Sequence, residues 1–404
     1  MKTIIIYISL LLSALFLMNC QNDEGSSAAS GSSSGSSTGS GGSSGSSTTQ
    51  YAFVTSFIFN AASGQVIVFR KNADNCGFTQ LATYAVGRNA FDLAYDFDGF
   101  LYVGNDGDGD VSMFSFDKSN GTLTDRGRVN QSSNGDASVP YGIAIHPSGF
   151  VYIADGSRSG SLTGSIGLFN QNSTTGVLTA QTPAFLNTGG QMYFPVLSTN
   201  GNYLYVTRYD TDQVYQYSVN SSTGALSTLG TATIASGNQP WEIVAHPSGN
   251  YIYVTNHDAD NSGTDSISQY SINSSTGQLS QIATAVTSGN NPIGLAVNQN
   301  FLFAGSFGNN VGTISGGVYG YSINQSTGAL TATAQGSVVL AAPGVYGLQL
   351  DRDGRCLYVA RSNYNTTSAG GDITIYNVNT TTGELTLHGN IAAGNGPRFI
   401  KMAW

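Results

Sequence analysis

Hydrolytic attack on a carbonyl needs a base to activate water and a positive group for the developing oxyanion. This chain has few residues that could supply either. It carries four histidines, of which His146 and His246 stand before proline in turns and His388 lies in an outer strand-like run, so all three read as structural. His257, in Asn256-His257-Asp258 after a Tyr-Val-Thr run, is the one imidazole placed among other reactive groups. Asp210 or Asp258 could act as the base, with Arg208 or Arg361 as the electrophile.

A second constellation is aromatic. Phe91, Tyr141, Tyr193, Trp241, Ile293, Tyr346 and Arg398 occupy equivalent positions in successive repeats, and Asp92 and Glu242 come next along their strands. Flat rings beside acid, amide and guanidinium groups suit a polyol, a glycan or a peptide segment. The candidate binding residues are therefore Phe91, Tyr141, Tyr193, Trp241, Glu242, Tyr346 and Arg398; the competing reading is that the rings simply pack between structural units.

Asn105-Asp106-Gly107-Asp108-Gly109-Asp110 alternates carboxylates as a calcium loop does, making Asp106, Asp108 and Asp110 candidate ligands. It lacks the downstream bidentate glutamate and the flanking helices of an EF-hand, and a solvated acidic turn accounts for it equally. Asp258, Asp260 and Asp265 form a looser cluster. Calcium is the one cofactor the chain leaves open.

The elements that must position these residues repeat. From Tyr203 to Asn250 the chain reads as four short strands: Leu204-Tyr205-Val206-Thr207, an alternating run at Val214–Val219, a third from Ala225-Leu226, and Pro240–Ala245. Thr223-Gly224 makes the hairpin turn, where glycine tolerates positive φ. The first strand recurs at Ala52, Leu101, Val151, Leu204, Ile252, Leu302 and Leu357, a period of roughly 50 residues that matches a propeller blade. The run from Gly396 to Trp404 matches the fourth strand of every other unit and has no unit of its own, so it is expected to pair with Tyr51–Phe57 and close the ring.

The 404 residues include 52 glycines and only 9% charged residues, with 22 tyrosines and 19 phenylalanines to fill a large core. A formal net charge of −9, with lysine and arginine scattered singly, excludes a phosphate-backbone face and hence nucleic acid. Residues 1–20 read as an export signal: Lys2, an apolar stretch to Met18, then Leu17-Met18-Asn19-Cys20, similar to a lipobox whose cysteine is lipidated. The alternative is a simple secretory signal. Residues 21–50 are dominated by Ser and Gly, a flexible tether of roughly 25–30 Å r.m.s. reach between a membrane anchor and a globular head at 51–404. Export to the outer membrane or cell surface is expected, or else to the periplasmic face. With Cys20 given to the lipid, Cys76 and Cys356 fall in blades that become neighbours on closure; two free, semi-buried thiols are expected, with a disulfide as the alternative.

The Tyr-Val-Thr strands, the His-Pro-Ser-Gly turns at 146–149 and 246–249, and the Thr-Gly-X-Leu hairpins resemble those of YVTN-type propellers. Asp353–Val359, the strands that follow it, and Gly396-Pro397-Arg398 are similar to the seven-bladed lactonase family, which includes 6-phosphogluconolactonases. The resemblance spans Tyr51–Trp404 and implies an all-β, seven-bladed propeller of four strands per blade. It also implies a His, Arg and Glu set at the channel mouth. Here Tyr209 stands where the Glu belongs, Val139-Pro140-Tyr141-Gly142 replaces a His-containing run, and only Pro397-Arg398 keeps the pattern. The phosphorylated lactone implied by the resemblance is cytosolic, whereas this chain carries an export signal. The expectation is thus a monomeric, lipid-anchored binding module for a small molecule, glycan or protein. A lactone hydrolase with a rearranged site, and a structural envelope protein, are the alternatives.

Overall fold

Each Tyr-Val-type run becomes the second strand of a four-stranded antiparallel sheet, and seven such sheets form the ring. The structure, a computed structural model, describes residues 49–404 apart from 58–60, 74, 97, 132–137, 157–163, 258–264, 309–315, 340–343 and 363–369. Cys20, most of the tether and Asp258 therefore lie outside the described residues.

The chain opens with β1 (Tyr51–Ser56), β2 (Gly64–Lys71) and β3 (Phe78–Val86). Blades follow as β4 (Ala90–Tyr95), β5 (Phe100–Asn105), β6 (Asp110–Asp117) and β7 (Thr122–Asn130), then β8 (Pro140–Ile145), β9 (Phe150–Asp155), β10 (Ser165–Gln171) and β11 (Leu178–Asn187). Next come β12 (Met192–Leu197), β13 (Tyr203–Arg208), β14 (Gln213–Val219) and β15 (Leu226–Ala235). The blade after that has β16 (Pro240–Ala245), β17 (Tyr251–Asn256) and β18 (Ser266–Ile272), with its outer strand broken into β19 (Leu279–Gln281) and β20 (Val286–Thr287). Two further blades comprise β21 (Pro292–Val297), β22 (Phe301–Ser306), β23 (Gly317–Ile323) and β24 (Leu330–Val339), then β25 (Gly344–Leu350), β26 (Cys356–Ser362), β27 (Asp372–Val378) and β28 (Leu385–Ala392). The last strand, β29 (Pro397–Ala403), returns to β1 in antiparallel register, Tyr51 opposite Ala403 and Val54 opposite Ile400. One blade thus takes strands from both ends of the described chain, in the order β29-β1-β2-β3, and the inner edge is closed.

Blades are tied to one another by a repeated bond. The second residue of an apolar run donates its phenol to the hairpin glycine of the next blade: Tyr102 to Gly176 O at 2.7 Å, Tyr152 to Gly224 O at 2.9 Å, Tyr205 to Gly277 O at 2.6 Å and Tyr253 to Gly328 O at 2.7 Å. Gly277 shows why the turn keeps glycine: its φ is +72°, and an added Cβ would fall 2.2 Å from the Tyr203 ring.

The expectation of two free thiols is overturned. Cys76 and Cys356 are bonded, with Cα atoms 5.5 Å apart. Cys76 occupies the β2–β3 hairpin, the place taken by the Thr-Gly turn elsewhere, and Cys356 heads β26 in the preceding blade. Each hairpin leans back onto the second strand of the preceding blade, so the turn and the strand that appear distant along the sheet are in contact. At this one junction a covalent bond stands where four of the others have the tyrosine–glycine bond, and both sulfurs share a core with Phe78 and Tyr358.

Candidate functional site

The seven innermost strands line the channel, and each slips register near the end where it begins. Shifts fall between Ala90 and Leu93, Pro140 and Gly142, Met192 and Pro195, Pro240 and Ile243, Pro292 and Gly294, Val345 and Leu348, and opposite Thr55 in the closing blade. A bulge re-aims consecutive side chains that plain alternation would send to opposite faces. In three blades a threonine of the adjoining second strand holds it: Thr255 Oγ1 accepts from Glu242 N–H at 3.0 Å, Thr207 from Phe194 at 3.0 Å and Thr55 from Phe399 at 3.1 Å. Thr207 and Thr55 each pass their own proton to the next blade, at Trp241 O and Phe91 O.

The bulges place the repeated aromatics at the channel mouth, where they stack on one another. Tyr141 and Tyr193 lie face to face with centroids 4.3 Å apart, Tyr193 and Tyr209 at 4.7 Å, and Trp241 packs on Tyr193 at 4.7 Å and on His257 at 5.0 Å. Tyr193 is buried, while Tyr141, Tyr209, Trp241 and His257 keep part of their surface in solvent. The cluster spans three consecutive blades. Phe91 meets Tyr141 edge-on at 5.2 Å and, with Phe194 and Phe399, fills the axis beneath.

Across the mouth, Arg398 is only 2% exposed. Its guanidinium lies 3.7 Å from the Tyr346 ring centroid and 4.5 Å from that of Phe57. Burial lowers its pKa to about 9, opposed by the charge of Asp106, so it stays cationic at neutral pH. Tyr346 is itself buried against Phe307.

Below the aromatic layer lies a chamber of about 480 Å³. Asp92, Phe194 and Glu242 line its inner end, and Tyr95, Leu197, Met402 and Trp404 its outer part, with Lys401 and Gln349 on the wall. Glu242 Oε2 accepts from Leu295 N–H at 2.7 Å and Asp92 Oδ2 from Ile143 N–H at 3.0 Å, each an amide of the following blade. Burial raises Glu242 to about 8 and Asp92 to about 6, and in both cases the charge of Lys401 opposes the rise.

The charged candidates are distributed elsewhere. Arg208 binds Asp210 at 2.9 and 3.1 Å, the carbonyls of Thr188 and Gly189, and the Tyr215 hydroxyl, while Asp210 also caps Gln191 N–H at 3.0 Å. That network pins the turn before β12. Arg361 reaches Thr374 at 3.1 Å and Asp372 at 3.5 Å on the neighbouring strand. Asp106, Asp108 and Asp110 serve different partners. Asp108 pairs with Arg88 and Arg128, Asp110 with Arg128 and Asn105, and Asp106 feels Arg398. Among the described residues no group of three or more His, Cys, Asp or Glu side chains is placed to hold a metal ion. His246 is held between Ser248 Oγ at 2.8 Å and Gln299 O at 3.0 Å, and His146 accepts from Ser148 N–H at 3.0 Å, as turn-closing residues. Lys401 escaped the sequence reading because its run was weighed as the closing strand and, for the site, only at Arg398.

The fold is that of the lactonase propellers. The profile of the family described as "Lactonase, 7-bladed beta-propeller" matches residues 196–346. A candidate 6-phosphogluconolactonase from Bacteroides fragilis is similar over 89% of this chain and 99% of its own, with a TM-score of 0.74 at 19% identity. A periplasmic gluconolactonase from Pseudomonas aeruginosa is similar over 88% of this chain and 99% of its own, with a TM-score of 0.69 at 15% identity. At these identities the likeness concerns the fold. No curated protein matches the chain in sequence.

Proposed function

We propose that this protein is an exported propeller that binds a small, hydroxyl-rich ring, a sugar or a sugar lactone, at the aromatic mouth. The observation that carries the reading is the stack of Tyr141, Tyr193, Tyr209 and Trp241, continuous across three blades and partly open to solvent. Aromatic faces bury the apolar faces of such rings.

Lactone hydrolysis at this channel is the second reading. The compartment argument against it weakens because a propeller of this fold is a periplasmic gluconolactonase. Glu242 follows Trp241 directly in sequence and would be the base once ionised. One experiment addresses both readings: calorimetric titration of sugars and aldonolactones, with acid release followed in parallel. Binding that falls at least tenfold in Trp241→Ala supports the mouth. Acid release lost in Glu242→Gln adds the hydrolase, and no heat with any sugar or lactone at millimolar concentration would sink both.

The anchor belongs to the same proposal. Cys20 would carry lipid, and the disulfide between Cys76 and Cys356 suits an oxidising compartment. Palmitate labelling of cells making the full chain is expected, and labelling that persists in Cys20→Ala would overturn it.

A further inference from the structure

The chamber lies below the proposed mouth site, and Phe194, packed against Phe91, Trp241 and Phe399, stands between them. Most residues along its wall are apolar, among them Val196, Val244, Ala296 and Met402. Into that wall the fold sets two acids, from β4 and β16, and one lysine, from β29. Burying charge among apolar groups is costly unless each charge is paired. Among the described residues Glu242 makes a single side-chain hydrogen bond, accepting from Leu295 N–H, and it is 8% exposed. Lys401 makes no ion pair or hydrogen bond among the described residues, although its charge acts on both acids. Nothing in the blade architecture requires this. The equivalent positions of Lys401 carry Ala94, Ala144, Val196, Val244, Ala296 and Gln349, and those of Asp92 and Glu242 carry glycine or phenylalanine.

We infer that the chamber binds a small zwitterion with an apolar body, such as an α-amino acid, its carboxylate on Lys401 and its ammonium on Glu242 and Asp92. Lys401 matches the ligand's carboxylate, Asp92 together with Glu242 once it ionises beside the ammonium matches the other charge, and the apolar remainder covers the aliphatic lining. A volume of about 480 Å³ admits a side chain as large as a phenyl ring. A simple cation would leave Lys401 unmatched, and a simple anion would leave the acids unmatched.

The test is calorimetric titration of the full chain with L-phenylalanine, 2-phenylethylamine and 3-phenylpropanoate, which share a body and differ in charge. L-phenylalanine is expected to bind at least tenfold more tightly than either half-ligand. Lys401→Met should weaken L-phenylalanine at least tenfold and leave 2-phenylethylamine unchanged, whereas Glu242→Gln should weaken the amine and spare the acid. Trp241→Ala should leave L-phenylalanine binding intact, which separates this chamber from the mouth. An amine or an acid that binds as tightly as L-phenylalanine would overturn the inference with wild-type protein alone, as would L-phenylalanine that gives no heat at millimolar concentration.

Discussion

At the scale of the residue, the same amino acid does opposite things at equivalent positions. Tyr205 donates to Gly277 O at 2.6 Å inside the interface between two blades, and burial raises its phenol well above the usual range. Removing that hydroxyl leaves a buried carbonyl without its donor, a loss of about 1–3 kcal/mol. Tyr358 sits at the matching position of its own blade, but its hydroxyl is buried with no hydrogen-bond partner among the described residues, and its ring stacks on Phe78 at 4.2 Å. Tyr205→Phe is therefore expected to lower the urea midpoint clearly, while Tyr358→Phe leaves it unchanged or raises it. Equal losses in the two variants would show that the hydroxyl bond is not what ties the blades. The recurrence of these tyrosines was plain in the sequence. Their role was not, because each acceptor lies 72 to 75 residues further on, in another blade.

At the scale of the element, the sequence displayed the strands but not their bulges. Alternation assigns consecutive residues to opposite faces, and by that rule Trp241 and Glu242 cannot both serve one channel. The register shift between Pro240 and Ile243 removes the conflict, leaving the ring at the mouth and the carboxylate in the chamber just below. Threonine preceding the last residue of β1, β13 and β17 is the local signal of this arrangement, since its hydroxyl accepts the bulged amide. Read together with the aromatic residue one position into the innermost strand of the same blade, Tyr193 for Thr207 and Trp241 for Thr255, it could have located those two bulges beforehand. Charged residues were harder to place. Arg208 and Asp210 follow a strand in the manner of a site, yet the guanidinium is occupied by two carbonyls, a hydroxyl and the carboxylate, so it stiffens a turn. Which of these ends a loop cation meets depends on the turn of the adjacent strand pair, and local sequence does not specify that.

At the scale of the whole molecule, the ring has one seam and two devices that hold it. β29 pairs with β1 without a covalent bond, and the disulfide joins the blade so formed to its neighbour across 280 residues of chain. A crosslink over so long a loop restricts the unfolded chain strongly, and removal of a native disulfide typically costs 2–5 kcal/mol. The two devices are coupled, because both keep β1–β3 docked. With β29 gone, the disulfide is the remaining covalent hold on β1–β3 at that seam; with the disulfide gone, β29 carries the closure. Removing residues 396–404 should lower the melting midpoint by several degrees and expose the inner edge of β1 to aggregation. Cys76→Ala with Cys356→Ala should lower it too, and reductant should then have no further effect. The combination should cost more than the two separate losses added together, as expected for changes that share one structural contact. A double loss that is merely additive would mean the seam and the disulfide stabilise independent parts of the ring, and the closing blade would then not be the unit on which the propeller's stability turns.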